Sequence, residues 1–381
     1  MKPFELISVD STSYARYGKM NFSNENGVFS IPTPMFMPVG TRGSVKAIWQ
    51  DQLEEIGYRL ILGNTYHLYL RPGTSIEQLG GLKKFISWSG AILTDSGGFQ
   101  VYSLSRIRKF HEDGVMFQSY FDGSKHFLSP ESVIDFQFLL DSDIMMVLDD
   151  CPPANSDKKR IRESLDRTHR WAKRSKEHFE RKKKETDSNS NWKKKQLFGI
   201  VQGGIFEDTR LESLEFIESL QFDGIAVGGL SVGEEKEDFY RILSFLGPKL
   251  NPQKVHYLMG VGSIKDILYA VYYGFDIFDC VLPTRNARHG HAYTWSGKLN
   301  IKNSHFKLDT KPIDEKCDCR VCRRYSRAYI RHLYNTKELL AYELLTYHNL
   351  YFYFHFFEKM REAIIKKTFK EFFENFINLN W

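Results

Sequence analysis

Short apolar runs alternate with amphipathic segments through most of the chain, and this alternation constrains the fold most. Several runs are apolar throughout, which is typical of parallel strands buried on both faces. Alternating strands and helices indicate parallel βαβ units, and eight units predict a (β/α)8 TIM barrel, with a doubly wound sheet as the alternative. The predicted strands are Met35–Val39, Leu60–Gly63, Ala91–Thr94, Ile144–Leu148, Leu197–Val201, Gly224–Val227, Val255–Met259 and Ile277–Cys280. The predicted helices include Lys46–Ile56, Pro130–Leu140, Asp157–Arg181 and Ile264–Tyr273.

Composition narrows the class of protein. The chain has 381 residues, of which 42% are hydrophobic and 26% charged, so it is long and apolar enough to bury a large core. It contains no apolar run that approaches the roughly 18 residues of a membrane span. Residues 1–5 lack a signal-peptide core, and five cysteines, an odd number, favour a reducing compartment, so we expect a cytoplasmic protein without a membrane partner. A net charge of +6 permits a polyanionic partner without establishing one.

The domain organisation follows from the segments that interrupt the alternation of strands and helices. We expect a single catalytic barrel domain over residues 1–381, with a small zinc-binding subdomain at about 300–350 and a helical tail at 351–381. Tyr102–Phe127 is long for a βα connection and contains hairpin-like sequence, so we interpret it as an insertion that could form a lid. Arg181–Lys195 is highly charged, which fits either a solvated helix end or a phosphate-contacting patch. The aromatic run Tyr351–Phe357 is typical of core or subunit interface.

Three of the five cysteines lie within six residues, in the pattern Cys317-x-Cys319-x2-Cys322. Thiolate sulfur is a soft ligand that suits zinc, and three cysteines with one histidine complete a closed tetrahedral shell. His348, in a Thr-Tyr-His-Asn setting, is the predicted fourth ligand, with His332 and His355 also in range. Because a closed shell leaves no position for water, we expect one structural zinc ion per subunit and chemistry elsewhere.

Acidic residues lie at the ends of three predicted strands: Asp95 and Asp149 follow their strands, and the last strand carries Asp279. In a barrel these strand ends share one face, where active sites lie. Strand-end aspartates bind a hard metal or act as acids, bases and nucleophiles. The other strand ends supply Gln202 and glycines rather than further metal ligands, which favours metal-free chemistry.

Two carboxylates beside an anomeric carbon suggest glycosidic-bond chemistry, in which one attacks the sugar carbon and the other moves protons. Glycine pairs such as Gly97-Gly98 would let backbone N–H groups approach a flat ligand. Gln202 and a further aspartate can read a purine edge, and Phe99 can stack on its face. Cations follow the last strand and suit a nucleic-acid backbone: Arg285, Arg288, His289 and His291. Cys151 and Cys280 are interpreted as packing residues rather than nucleophiles.

Several of these segments resemble the bacterial tRNA-guanine transglycosylases, also called queuine tRNA-ribosyltransferases, across essentially the whole chain. The matching motifs are Thr94–Gln100 (TDSGGFQ), Phe198–Gly203 (FGIVQG), Ala226–Leu230 (AVGGL), His256–Gly262 (HYLMGVG), Phe278–Arg285 (FDCVLPTR) and the Cys3His pattern. The resemblance implies a (β/α)8 barrel with a zinc-bearing insertion near its C-terminal end.

The resemblance also implies residue roles. Asp279 matches the nucleophile and Asp95 the general acid/base, while Asp149, Gln202 and the Gly229 backbone match groups that read the base. The implied substrate-binding residues are Asp95, Ser96, Gly97, Gly98, Phe99, Asp149, Gln202, Gly229, Leu230 and Met259. The implied RNA-binding residues are Gly260, Val261, Gly262, Ser263, Ile264, Lys265, Asp266, Thr284, Arg285, Asn286, Ala287 and Arg288.

The implied reaction exchanges guanine at the wobble position of tRNAs with GUN anticodons (Asp, Asn, His, Tyr) for 7-aminomethyl-7-deazaguanine, through a covalent enzyme–tRNA intermediate in queuosine biosynthesis. Val232 and Cys151 are bacterial-like and favour this small base over queuine. The tRNA anticodon stem-loop is the implied partner, and a homodimer is expected. The alternatives are a queuine-using variant, a non-catalytic partner subunit and a zinc-dependent hydrolase. Retention of Asp95, Asp149 and Asp279 argues against the non-catalytic subunit.

Overall fold

A computed structural model of the chain describes residues 2–24, 27–104, 108–185 and 194–381. The strands are β1 (Phe4–Val9), β2 (Arg16–Asn24), β3 (Gly27–Thr33), β4 (Met35–Met37), β5 (Val39–Gly40), β6 (Leu60–Gly63), β7 (Ala91–Thr94), β8 (Arg108–His111), β9 (Gly114–Gln118), β10 (Lys125–Leu128), β11 (Ile144–Met146), β12 (Gln196–Val201), β13 (Gly224–Val227), β14 (Val255–Leu258), β15 (Ile277–Asp279), β16 (His291–Thr294) and β17 (Gly297–Asn300). The α-helices are α1 (Gln50–Ile56), α2 (Thr65–Leu70), α3 (Gly81–Ile86), α4 (Gly98–Leu104), α5 (Pro130–Leu139), α6 (Lys158–Glu185), α7 (Glu207–Ser219), α8 (Lys236–Leu246), α9 (Ile264–Tyr272), α10 (Leu282–Arg288), α11 (Arg327–Asn335), α12 (Leu339–Ile365) and α13 (Phe369–Ile377).

Nine of these strands form one parallel sheet in the order β4-β15-β14-β13-β12-β11-β7-β6-β5. Its two ends, β4 and β5, are halves of one strand separated by Pro38, which has no N–H to donate. β4 pairs with β15 and β5 pairs with β6, so the sheet closes on itself with eight strand positions. The predicted (β/α)8 barrel is confirmed, and closure excludes the doubly wound alternative.

The predicted strand positions agree with the structure to within two residues. Strands β6, β7, β13 and β14 are buried at every position, which explains why they are apolar along their whole length. Helix α1 begins at Gln50 rather than at the predicted Lys46, because Ala47 has a left-handed backbone with φ of 56°. A right-handed helix cannot continue through that conformation.

The antiparallel sheet β1-β2-β3 closes the amino-terminal end of the barrel. Its Arg16 side chain binds Asp276, directly before β15, at 2.8 and 2.9 Å. The amide of Gln196, at the start of β12, donates to the carbonyl of Asn21. The opposite end, where the strands finish, is left open for the functional site.

The predicted insertion contains an antiparallel sheet in the order β10-β9-β8, which agrees with its hairpin-like sequence. Val115, Phe117 and Leu128 bury one side of this sheet against Val101 and Trp171. Residues 105–107 of the insertion lie outside the described residues. The insertion stands beside the carboxyl ends of the strands, because the Tyr120 hydroxyl contacts His67 of α2, which directly follows β6.

The charged stretch Arg181–Lys195 is described at its two ends, and residues 186–193 lie outside the described residues. Lys195 is buried, and its ammonium donates to the Asp141 carboxylate at 2.5 Å. Lys182 lies 3.1 Å from the Asp135 carboxylate. Both of these cations therefore pair with carboxylates of this chain.

The long helix α12 joins the C-terminal elements to the barrel. Phe352, Tyr353, Phe356 and Phe357 are buried in the core cluster that includes the barrel strands. The Tyr353 hydroxyl donates to the Gly262 carbonyl at 2.6 Å, in the loop after β14. The aromatic run is therefore core material. Among the described residues, the structure has no helix with the length and apolar character that a membrane span requires.

Candidate active site and metal centre

One pocket lies at the carboxyl ends of the barrel strands, and it brings together side chains from distant parts of the chain. Every residue predicted to bind the base lines it together with Asp279: Asp95, Ser96, Gly97, Gly98, Phe99, Asp149, Gln202, Gly229, Leu230 and Met259. Convergence follows from the fold, because the strand ends of a barrel share one face. The pocket also includes Tyr257, Cys151 and Val232.

Asp95 follows β7 directly and is partly open to the pocket. Its Oδ2 accepts a hydrogen bond from the Asn64 amide at 2.5 Å, and its Oδ1 accepts from the backbone N–H groups of Thr65 and Gly97 at 2.9 and 3.1 Å. Burial, with a smaller contribution from the Asp279 carboxylate, raises the pKa of Asp95 from 3.8 to about 7. Asp95 can therefore both donate and accept a proton near neutral pH.

Asp279 ends β15 and has a different set of partners. Its Oδ1 accepts hydrogen bonds from the Tyr257 hydroxyl at 2.6 Å and from the Gly260 N–H at 2.7 Å. Burial raises the pKa of the Asp279 carboxyl, and these two hydrogen bonds oppose that rise because they stabilise the anion. Both donors bind the same oxygen, which leaves Oδ2 for a reacting atom.

Asp149 and Gln202 form a polar pair on the pocket wall. The Gln202 amide nitrogen donates to Asp149 Oδ2 at 2.7 Å, and the Ser96 hydroxyl donates to Oδ1 at 3.2 Å. Burial raises the pKa of Asp149 to about 6. Gln202 Oε1 is buried and has no partner among the described residues, so it is an acceptor that a ligand N–H would satisfy.

Asp150, which the sequence places beside Asp149, is directed away from the pocket into a buried ion-pair network. Its carboxylate accepts hydrogen bonds from Arg160 at 2.9 and 3.0 Å and a further one from Arg167. Both arginines lie on α6, so Asp150 anchors that helix to the end of β11.

The remaining predicted pocket residues define its walls. Phe99 is exposed on the first turn of α4, where a flat ligand could stack on it. Cys151 is buried, and burial raises the pKa of its thiol to about 12. It is therefore a neutral packing group, as predicted, rather than a nucleophile. Val232 lines the pocket and donates its N–H to the Glu234 carboxylate at 3.0 Å.

The residues predicted to bind RNA lie at the same face but differ in exposure. Gly260, Lys265 and Arg285 are exposed, and Ser263, Asn286 and Arg288 are half-buried. The remaining six are buried: Val261, Gly262, Ile264, Asp266, Thr284 and Ala287. Asp266 binds the Lys236 ammonium at 2.7 Å. Any contact of the buried apolar residues with RNA would have to come from their backbone.

The predicted metal ligands converge at a second, separate place. The ligand atoms of Cys317, Cys319, Cys322 and His348 all lie within 4.8 Å of one another. His348 Nδ1 lies 3.4, 3.6 and 3.9 Å from the sulfur atoms of Cys322, Cys319 and Cys317. Hydrogen bonds from the other two thiols and from His348 lower the pKa of the Cys319 thiol. This cluster could hold a metal ion.

The structure adds residues that the sequence did not single out. Asn64 donates a hydrogen bond to Asp95, and Tyr257 donates one to Asp279. The fully buried Arg210 binds the loops that follow β12 and β13. Asn64 directly follows β6, so the strand-end rule that selected Asp95 would also have found it. Tyr257 lies inside a buried strand and Arg210 inside α7, where their residue types carry no such signal.

A closed (β/α)8 barrel with carboxylates from separate strands in one pocket, and a Cys3His cluster apart from it, defines an enzyme of the TIM-barrel class. The family model described as queuine tRNA-ribosyltransferase matches residues 10–380. The chain is similar to queuine tRNA-ribosyltransferases of Thermodesulfovibrio yellowstonii (53% identical, covering 90% of this chain and 87% of the relative), Leptospira biflexa (52%, 97% and 96%) and Neisseria meningitidis (50%, 97% and 96%). The chain belongs to the queuine tRNA-ribosyltransferase family. The predicted enzyme class, a tRNA-guanine transglycosylase, is confirmed at the level of this family.

Proposed function

We propose that this protein exchanges guanine at the wobble position of tRNAs with GUN anticodons for 7-aminomethyl-7-deazaguanine, by two successive displacements at the ribose C1′. Asp279 is the nucleophile and Asp95 the general acid and base. The observation that carries the proposal is the pair of carboxylates in one pocket with different hydrogen-bond partners.

In the first displacement, Asp279 Oδ2 attacks C1′ as the C1′–N9 bond breaks. The leaving guanine takes the Asp95 proton, and the ribose is left as an ester of Asp279. The assignment fits the two environments, since a pKa of about 7 lets Asp95 carry a proton near neutral pH. Two hydrogen bonds to Asp279 Oδ1 favour its ionised form.

In the second displacement, Asp95 accepts the N9 proton of the incoming base. The base nitrogen attacks C1′, the ester bond to Asp279 breaks, and the carboxylate is regenerated. Two inversions retain the β configuration of the nucleoside. A wobble base must leave the anticodon stack to reach the pocket, and this costs roughly a few kcal/mol, less in a loop that is already single-stranded.

The pocket wall supports recognition of a guanine-like base. The Asp149 carboxylate accepts from N–H groups, and the unpartnered Gln202 Oε1 adds another acceptor. Phe99 and Met259 are the proposed stacking and packing contacts. Val232 and Cys151 take up space in the pocket, which favours the small aminomethyl base over queuine. Equal incorporation of queuine in competition with the aminomethyl base would contradict this choice.

The exposed cations beside the pocket support an anticodon stem-loop as the RNA partner. Lys265 and Arg285 lie on α9 and α10, which follow the strands that carry Tyr257 and Asp279. Phosphate contacts would orient the loop so that the wobble ribose meets Asp279. Loss of either cation should raise the KM for tRNA and weaken its salt dependence, and an unchanged salt dependence would contradict the contact.

We propose zinc as the ion for the Cys3His cluster. A tetrahedral zinc with sulfur and nitrogen ligands separates S and N by about 3.6 Å, which matches the three distances from His348 Nδ1. The other ring nitrogen of His348, Nε2, lies 2.7 Å from the Tyr293 carbonyl. Histidines that bind a metal through one ring nitrogen are commonly oriented by a hydrogen bond from the other. When bound, the ion would tie residues 317–322 to α12 and leave the pocket chemistry to the carboxylates.

We further propose that residues 1–381 form one catalytic unit, with the zinc-binding subdomain at about 300–350 and the tail at 351–381. The chain is proposed to form a homodimer, supported by exposed Tyr329, Leu339 and Leu340 on α11 and α12. A monomeric mass by light scattering would contradict the dimer. A cytoplasmic location is proposed because the described cysteines carry no disulfide and the substrate is tRNA, and fractionation of cells tests it.

Incorporation of radiolabelled guanine into unmodified tRNA with a GUN anticodon tests the reaction. Wild-type protein should incorporate label and form a denaturation-resistant protein–tRNA adduct, and 7-aminomethyl-7-deazaguanine should compete. Asp279→Asn should do neither, because an amide cannot form the ester. Failure of zinc-replete wild-type protein to incorporate label would favour the non-catalytic subunit or an unrelated hydrolase.

A further inference from the structure

Arg210 joins two glycine-rich loops from behind the pocket. It lies on α7, is fully buried, and is not among the pocket-lining residues. Its guanidinium donates to the carbonyl oxygens of Gly204 at 2.7 Å and Val201 at 2.9 Å, around the Gln202 loop. It also donates to Gly228 at 2.7 Å and Gly229 at 3.1 Å, in the next loop.

These contacts fix the direction of two N–H groups. In a trans peptide the C=O of one residue and the N–H of the next point in opposite directions. With the Gly228 and Gly229 carbonyls held by Arg210, the N–H groups of Gly229 and Leu230 are directed away from the guanidinium. That side of the loop is the pocket, which Gly229 and Leu230 line.

We propose that Arg210 is a positioning residue for base recognition, which aims the Gly229 and Leu230 N–H groups at the carbonyl oxygen of an oxopurine. The inference rests on the proposed function. Asp149 and Gln202 supply acceptors on the same wall, so the pocket offers donors and acceptors in the pattern of a guanine edge. An aminopurine would place an N–H against the two donors.

The residue type supports a geometric role rather than stabilisation alone. All four hydrogen bonds of Arg210 go to carbonyl oxygens, so no ion pair in this set offsets the cost of burying its charge. Burial lowers the pKa of the guanidinium to about 10, and it stays charged at neutral pH. Its planar fork can reach two loops at once, whereas a lysine ammonium is a single point donor on a flexible stem.

The test is Arg210→Lys in the exchange assay, with KM measured separately for guanine and for tRNA. Misdirection of one N–H should raise the KM for guanine about tenfold. The KM for tRNA should change by less than about twofold, since phosphate contacts supply most RNA affinity. An unchanged KM for guanine in folded Arg210→Lys protein would overturn the positioning role.

Arg16→Lys is the matched control. Arg16 is also buried, binds Asp276 and the Pro252 carbonyl, and bridges two neighbouring strands at the opposite end of the barrel. It should lose stability while the KM for guanine stays at the wild-type value. Equal increases in both variants would reduce Arg210 to a structural role. Wild-type protein that incorporates no guanine would instead refute the proposed function itself.

Amide hydrogen exchange of the wild-type enzyme decides the question without a variant. The Gly229 and Leu230 amides should exchange quickly in the free enzyme and become protected on saturation with guanine. Protection in the free enzyme equal to that of the β13 amides would show that they face the protein, and would overturn the proposal.

Discussion

The Tyr257 hydroxyl donates a hydrogen bond of 2.6 Å to Asp279 Oδ1, the oxygen that also accepts the Gly260 N–H at 2.7 Å. Tyr257 is buried inside β14, and it lines the pocket beside Asp279. The two hydrogen bonds fix the carboxylate plane and leave one oxygen to react. Ground-state orientation of this kind lowers the cost of reaching the transition state.

Tyr257→Phe should slow formation of the covalent tRNA adduct about tenfold, because it removes one hydrogen bond to an ionised group. Loss of the donor destabilises the anion, so the pKa of Asp279 should rise and the acidic limb of the rate profile should move to higher pH. Single-turnover adduct formation across pH measures both effects.

Tyr58→Phe is the control for that experiment. Tyr58 is equally buried, and its hydroxyl donates to the Leu350 carbonyl at 2.9 Å. It precedes β6, at the opposite end of that strand from the pocket. This variant should form adduct at the wild-type rate per folded molecule. An adduct rate in Tyr257→Phe equal to that in Tyr58→Phe would contradict the role given to Tyr257.

The two half-reactions should respond to pH in opposite directions. Expulsion of guanine needs protonated Asp95, so its rate should fall about tenfold per pH unit above the Asp95 pKa of about 7. Attack by the incoming base needs ionised Asp95, so that rate should rise with pH and level off below this value, because esterified Asp279 carries no charge that raises the Asp95 pKa. Release of guanine from tRNA, followed separately from label uptake by trapped adduct, measures the two limbs. Two limbs that bend in the same direction would exclude Asp95 as the shared proton carrier.

The convergence of the three aspartates was predictable from the sequence for a specific reason. Strands buried on both faces are continuous apolar runs, and each run ends where a polar residue first appears. Asp95, Asp149 and Asp279 were found at those ends, and closure of the barrel brings them to one face. The same rule selected Gln202 and the glycines beside it.

Other functional residues could not be predicted from the sequence, because their residue types are equally common in a structural role. A tyrosine inside an apolar strand, such as Tyr257, is expected in a core whether or not it binds a carboxylate. Arg210 lies on an α7 surface that the sequence presents as an ordinary mixed helix face. The break at Pro38 did carry a signal, since proline inside a predicted strand marks an interruption of the hydrogen-bond ladder.

Cys319→Ala should lower zinc content and stability while leaving the chemistry of folded enzyme intact. Cys319 is fully buried and its sulfur lies 3.6 Å from His348 Nδ1. Loss of one of the four ligands should lower the free energy of unfolding by roughly several kcal/mol, because metal binding contributes to folding. Metal analysis and denaturant unfolding measure the two effects, and adduct formation per folded molecule should stay near wild type.

His332→Asn, at a histidine outside the cluster, is the control and should keep its metal. Zinc stoichiometry unchanged by Cys319→Ala would refute the ligand assignment.

Gly229→Ala should damage base recognition more than it damages the fold. Gly229 has a φ of 65°, and a Cβ at this position would lie 2.3 Å from Gln202 Oε1. An alanine would therefore strain the backbone and displace the amide that carries the unpartnered acceptor. We expect the KM for guanine to rise about tenfold or more, with a loss of stability of about 1 to 2 kcal/mol. The exchange assay and urea unfolding measure these values. Gly73→Ala is the control, because Gly73 has a similar φ of 71° and open space around its Cβ position, and it does not line the pocket. It carries comparable backbone strain without touching Gln202. A KM for guanine that rises equally in both variants would mean that backbone strain in general, rather than the Gln202 contact, sets base affinity.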